Sequence, residues 1–149
     1  MPYYPSAYGG LYQAGNQQIV ISKPDAFVPL CLKNKLPSLG VKANGENGLV
    51  VQDSGDYELN YHVLISASDA VTVSVCVRKN GSPIYASLGT RSLAACRSPY
   101  PFEGGLSASI IVALQAGDIL DLAATVSGTL PPYLDLSVLG NATLTLKKL

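Results

Sequence analysis

An apolar residue at every second position, repeated in separate runs along the chain, constrains the fold more than any other feature of the sequence. These apolar positions are Tyr57, Leu59, Tyr61, Val63 and Ile65, then Val71, Val73, Val75 and Val77, and later Leu106, Ala108, Ile110, Val112 and Leu114. Successive side chains of an extended strand point to opposite faces, so this spacing predicts strands with one face against a core. No segment shows a convincing helical period. The chain is therefore predicted to be all-β.

The residues between these runs are turn formers. Asn44-Gly45, Asn80-Gly81, Gly104-Gly105 and Gly117-Asp118 are dipeptides that suit turns with positive φ, and their spacing is mostly about ten residues. This rhythm is typical of a β-sandwich or barrel. Asn80-Gly81 joins two runs so closely that it predicts a tight hairpin.

The chain of 149 residues has the length of one domain. Residues 1–12 carry no charge and are rich in Tyr, Gly and Pro, which predicts a flexible N-terminal segment. Residues 13–149 are predicted to form a single domain. Within it, Pro99 and Pro101 mark residues 94–105 as a long surface loop.

Charge is scarce and balanced. Charged residues make up 13% of the chain, against about 25% in a typical soluble domain, so the surface is either covered by partner subunits or solvated by Ser, Thr, Asn and Gly. The net charge is zero and no basic stripe is present, which argues against nucleic-acid binding. No apolar run of about 18 residues exists, so no membrane span is predicted.

The residue types needed for catalysis do not converge in the sequence. His62 is the one histidine, no G-x-S-x-G elbow accompanies it, and it is predicted to be a surface or interface residue. Asp56 and Asp118 each follow a glycine, where an aspartate commonly caps a turn. A calcium site built from such turn carboxylates is the alternative. Otherwise no cofactor is expected, and the chain is predicted not to be an enzyme.

Three cysteines, Cys31, Cys76 and Cys96, cannot all pair within one chain. Small buried thiols are the first interpretation. A Cys76–Cys96 bridge, or an exposed thiol that links neighbouring subunits, is the alternative.

Several motifs together resemble one group of proteins. The stretch Gly55-Asp56-Tyr57-Glu58-Leu59-Asn60-Tyr61-His62-Val63 is similar to the central strand of complement-type globular heads. With Tyr8-Gly9-Gly10-Leu11-Tyr12, Arg78-Lys79-Asn80-Gly81, Ala116-Gly117-Asp118 and the ending Asn141-Ala142-Thr143-Leu144-Thr145-Leu146, it resembles the C-terminal head of collagen-like exosporium glycoproteins of spore-forming Firmicutes. These pieces occur in the expected order over nearly the whole chain.

The resemblance implies a TNF-like jelly-roll sandwich of about ten antiparallel strands. It also implies a homotrimer without catalytic residues, at the spore surface (exosporium) or another extracellular location. Its partners would be other copies of itself, and other surface-layer proteins or a host receptor. The sequence departs from this family in lacking a Gly-X-Y repeat, so a collagen filament is not predicted. Residues 1–12 would be a junction to a stalk.

In such jelly rolls one face of the inner sheet packs on the core and the other faces the three-fold axis. Leu64, Ile111 and Ala113 are apolar at positions where simple alternation expects polar residues. With His62, they are predicted to face neighbouring subunits. The alternative is a sheet face covered by a loop of the same chain.

The sequence also leaves a second function open. Arg97, Tyr100 and Phe102 cluster in the predicted 94–105 loop, and exposed aromatic residues beside a cation suit contact with a receptor or a carbohydrate. The alternative function is therefore a ligand-binding head that uses this loop.

Overall fold

A computed structural model describes residues 6–93 and 102–149 of the chain. In these ranges there are thirteen strands: β1 (Tyr8–Gln13), β2 (Gln17–Ile19), β3 (Val28–Pro29), β4 (Asn34–Lys35), β5 (Val41–Ala43), β6 (Gly48–Val51), β7 (Gly55–Ala67), β8 (Val71–Lys79), β9 (Ser82–Pro83), β10 (Gly89–Leu93), β11 (Phe102–Leu114), β12 (Ile119–Ser127) and β13 (Leu136–Lys148). A single 3₁₀ turn at Tyr85–Ser87 joins β9 to β10. Three of the strands, β3, β4 and β9, are only two residues long.

The strands form two antiparallel sheets that enclose one core. Sheet I has the order β11-β7-β13-β1-β4, with β2 beside β13. Sheet II has the order β10-β8-β12-β6-β5, with β3 beside β12 and β9 beside β8. The predicted all-β jelly-roll sandwich is confirmed.

The alternation in the sequence corresponds to the inner faces of both sheets. The apolar positions of β7, from Tyr57 to Ile65, are all nearly inaccessible to solvent, and the alternate valines of β8 pack against them from sheet II. Full burial of one such side chain stabilises the fold by about 1.5–3 kcal/mol. The predicted hairpin is also confirmed: Asn80 (φ 52°) and Gly81 (φ 83°) form the two-residue turn between β8 and β9.

The long strands of sheet I are held in a fixed register. β11 pairs with β7 over thirteen positions, from Phe102 opposite Ala67 to Leu114 opposite Gly55. β13 pairs with the other edge of β7, and its register shifts between Leu139 and Thr143. This bulge is anchored because the Gly140 N–H donates to Asn16 Oδ1 at 2.8 Å. The bulge adds two residues to β13, so the even-numbered side chains of this strand face the core on both sides of it.

Strands include residues of two segments that were predicted to be irregular. Residues 8–12, expected to belong to a flexible segment over 1–12, form most of β1 and pair with β13, so the expected boundary at residue 13 falls inside a strand. Residues 102–105, expected to belong to a loop over 94–105, begin β11. The glycines that suggested irregular chain are close-approach positions: a Cβ at Gly10 would lie 2.8 Å from Leu36 Cδ1, and one at Gly104 would overlap the Arg91 side chain.

A buried tyrosine hydroxyl links the two sheets. The Tyr61 hydroxyl, from β7, donates to the Ser87 carbonyl at 2.6 Å and lies 3.1 Å from the Val75 carbonyl. Burial, with a smaller effect from nearby Cys76, raises the pKa of Tyr61 to about 12, so the hydroxyl keeps its proton. Ser87 in turn accepts from the Val77 N–H and donates to the Ile84 carbonyl. Tyr61 therefore holds the 3₁₀ turn against the core.

Replacing Tyr61 with phenylalanine should lower the free energy of unfolding by about 1–3 kcal/mol, because it leaves buried carbonyl groups without their donor. Urea denaturation of the two proteins measures this difference. Tyr133→Phe is the matched control, since Tyr133 is fully exposed and its hydroxyl is solvated. Equal losses in the two variants would contradict the role assigned to Tyr61.

Candidate functional site

The outer face of sheet I is the surface that the sequence singled out. It consists of the side chains of β7, β11, β13 and β1 that lie between the core positions and point away from the core. The strand register aligns these side chains in rows across the sheet. Four consecutive rows are Gly105-Leu64-Leu139, Ser107-His62-Thr143-Tyr12, Ser109-Asn60-Thr145-Gly10 and Ile111-Glu58-Lys147-Tyr8.

The polarity of the side chains differs from row to row across this face. At one end of these four rows Leu64 and Leu139 lie opposite each other, and both are half-buried. The two middle rows carry hydroxyl, amide, imidazole and phenol groups. At the other end Ile111 is 69% exposed on edge strand β11, beside Glu58 and Lys147, which oppose each other. These four rows are therefore mostly uncharged, with apolar groups in the first and the last, and Glu103 and Asp56 occupy the rows beyond them.

The structure brings the four predicted interface residues onto this one face. Leu64 and His62 project from β7, and Ile111 and Ala113 project from β11. His62, Ile111 and Ala113 are exposed to solvent in the isolated chain. The alternative that a loop of the same chain covers this face stays untested, because residues 1–5 and 94–101 lie outside the described residues. That the four predicted residues contact another subunit stays a prediction.

Sequence reasoning missed Leu139 and a cleft near the β1 edge of sheet I. Leu139 is an apolar residue at an outward position of β13, opposite Leu64, and its place on this face follows from the pairing of β13 with β7. The cleft has a volume of about 280 Å³ and is lined by Tyr8, Gly9, Leu36, Pro37, Thr145 and Leu146. Its lining residues are far apart in sequence, so only the fold brings them together.

The predicted ligand loop is largely outside the described residues. Arg97 and Tyr100 both lie outside the described residues. Phe102 is the first residue of β11 and not part of a loop.

The carboxylates near turns have structural partners. Asp118 accepts hydrogen bonds from the Gln115 N–H at 2.8 Å and from Asn80 Nδ2 at 3.0 Å, which confirms its predicted capping role. Asp121 forms a two-bond ion pair with Arg78, at 2.8 and 2.6 Å. Within residues 6–93 and 102–149, no three His, Cys, Asp or Glu side chains are grouped so that they could hold a metal ion.

The cysteines do not form a reactive site in the described part of the chain. Cys76 is fully buried in β8, and burial raises the pKa of its thiol to about 11 against a smaller opposing effect of Arg78. Its thiol therefore stays protonated at neutral pH. Cys31 is half-buried, contrary to the expectation of a buried thiol, and both cysteines are free. Cys96 lies outside the described residues, so the Cys76–Cys96 bridge stays untested.

Comparison with known proteins identifies the fold. No protein-family model and no curated protein sequence matches the chain. Among solved structures, Eiger TNF from S. frugiperda superposes with a TM-score of 0.65 at 14% identity, over 98% of this chain and 94% of that one. The chain has the TNF-like jelly-roll fold. Murine APRIL matches with TM-scores of 0.56 at pH 8.0 (18% identity) and 0.57 at pH 5.0 (19% identity), covering 95% and 97% of this chain and 99% of each APRIL chain.

The TNF-like fold implied by the sequence motifs is thus confirmed at the level of backbone path. The relationship to bacterial exosporium heads stays a prediction. None of the described segments forms a helix long and apolar enough to cross a membrane.

The cap at Asp118 makes stability depend on pH. The N–H of Gln115 and the Asn80 amide hold the pKa of the Asp118 carboxyl below its ordinary value of 3.8. The resulting stabilisation is fully present above pH 3.8 and is lost as the pH falls through the lower value in the folded state.

Asp118→Asn should therefore lower the free energy of unfolding at neutral pH, and the deficit should shrink below pH 3.8. Urea denaturation across this pH range measures the deficit. Glu46→Gln, at an exposed position, is the control and should change little. A deficit that does not change with pH would show that the charge of Asp118 is not what stabilises the turn.

Proposed function

We propose that this chain is a non-enzymatic self-association module that forms a homotrimer and serves as a head in an extracellular or spore-surface layer. The observation that carries the proposal is the exposed apolar set on the outer face of sheet I, above all Ile111 on the edge strand. The TNF-like fold supports the proposal, because the resemblance seen in the sequence implies a trimer for heads of this kind.

The composition of the face favours a protein partner over bulk water. Single exposed leucines are normal on protein surfaces, but Leu64, Leu139, Ile111 and Ala113 share one face of one sheet. The cores of protein interfaces are depleted in charge. Here the hydroxyl and amide rows lie in the middle, and the charged pair Glu58 and Lys147 lies toward one end.

Two different patches on one subunit suit a head-to-tail ring. Ile111 lies on β11 at one edge of sheet I, and the Tyr8, Leu36 and Pro37 cleft lies near the other edge. An interface between unlike patches generates a closed ring when the rotation between subunits closes. In the proposed trimer, the β11 edge of one subunit inserts Ile111 at the cleft of the next.

The polar groups of the described chain are engaged in ways that favour a structural role over catalysis. Asp118 caps a turn, Asp121 binds Arg78, and the Cys76 thiol is buried and protonated. His62 has Ser107 and Thr143 as its row neighbours, on a sheet face and not in a deep cavity. A catalytic histidine needs a nucleophile and an orienting partner in a shared cleft.

The proposed location rests on the ordered sequence motifs that resemble exosporium heads. In that setting the partners would be further copies of the chain, other surface-layer proteins or a host receptor. Labelling of intact spores or cells of the source organism with an antibody to the chain would test the location. Signal confined to the cell interior would contradict it.

Leu64→Glu and Ile111→Glu should each convert the trimer to a monomer, because each places a charge in the proposed interface. Sedimentation or light scattering should give three times the chain mass of 15.6 kDa for the wild type and a single chain mass for the variants.

The matched control is Tyr85→Glu, since Tyr85 is 73% exposed on the 3₁₀ turn beside sheet II. This variant should remain trimeric. A monomeric wild type would contradict the proposed function, and a trimer that survives both sheet I substitutions would contradict the proposed interface.

A further inference from the structure

His62 lies in the middle of the outer face of sheet I. It is the one histidine of the chain. On β7 it is exposed, with Ser107 of β11 on one side and Thr143 of β13 on the other. Tyr12 of β1 continues the same row. The imidazole is therefore placed where the proposed trimer brings subunits together.

No carboxylate lies in the row of His62 or in the rows next to it. One adjoining row contains Ser109, Asn60, Thr145 and Gly10, and the other contains Gly105, Leu64 and Leu139. Tyr12 is the one other titratable group in these three rows. Glu58 and Lys147, which oppose each other, lie two rows away on one side, and Glu103, opposite Ser66, lies two rows away on the other. An imidazolium at position 62 therefore has no acidic group in these rows to pair with.

We propose that His62 makes self-association pH-dependent, so that the trimer is stable at neutral pH and dissociates into folded subunits on mild acidification. This inference rests on the proposed function. A neutral imidazole can be buried beside hydroxyl groups at little cost when it is hydrogen-bonded, whereas a buried charge without a partner is strongly unfavourable. Three-fold symmetry places one such ring in each of three subunits, so the cost is incurred three times.

The direction of the effect follows from proton linkage. Burial disfavours the charged ring, so separated subunits bind more protons than the trimer does. Association therefore weakens as the pH falls, by up to ~1000-fold in the association constant for each pH unit when three protons are taken up. Histidine is the side chain whose charge ordinarily changes between about pH 5 and pH 8.

Sedimentation equilibrium of the full chain between about pH 7.5 and pH 5, at constant ionic strength, tests the proposal. The wild type should be trimeric at the upper pH and monomeric at the lower, with an unchanged circular dichroism spectrum. His62→Gln and His62→Asn should remain trimeric at both. Glu58→Gln is the matched control on the same strand, and it should keep the wild-type pH dependence.

Each outcome of these experiments either supports or overturns the proposed role of His62. A wild-type association constant that is the same at both pH values would overturn the proposal, as would equal pH dependence in His62→Gln, or dissociation accompanied by unfolding. If neither His62 variant assembles, calorimetry of the wild type in two buffers measures whether dissociation of the trimer takes up protons. Proton uptake supports the proposal, and its absence overturns it. A wild type that is monomeric at neutral pH contradicts the trimer itself, which is a different failure.

Discussion

The antiparallel pairing of β7 with β11 and β13 is the constraint on which the rest of the structure depends. β7 lies between the other two strands, and its thirteen-position register with β11 fixes which of its side chains point inward. A slip of one residue would exchange the core set for the outer set. The buried Tyr57-to-Ile65 series and the exposed His62 row are therefore two consequences of one alignment.

Sheet II depends on the same alignment through a few polar contacts. Tyr61, held inward by the register of β7, reaches the Ser87 carbonyl and positions the turn before β10. On the other side of sheet II, the Arg78–Asp121 ion pair joins β8 to β12. The outer face of sheet I carries apolar groups on a regular array, among them Ile111, which is 69% exposed. The proposed self-association and its pH dependence both start from that surface.

Glycines are the residues whose secondary structure was predicted wrongly from the sequence. Gly9-Gly10 and Gly104-Gly105 were interpreted as irregular chain, yet all four lie in strands. Glycine suits a tight turn, and it equally suits a strand position where another residue packs closely against the backbone. The second role depends on a neighbour that is distant in sequence, such as Leu36 beside Gly10 or Arg91 beside Gly104. Leu139 was missed for a related reason, since its position opposite Leu64 follows from the pairing of β13 with β7, which is distant in sequence.

The sequence by itself determined the fold class, the Asn80-Gly81 hairpin and the inward or outward parity of each long strand, because all three depend on local geometry. It also identified Leu64, His62, Ile111 and Ala113 as residues of one outward set. The tertiary structure alone decided that Ser107, His62, Thr143 and Tyr12 form a row and that a cleft lies beside β1. Row alignment requires the pairing of strands from both ends of the chain, and no local pattern encodes that pairing.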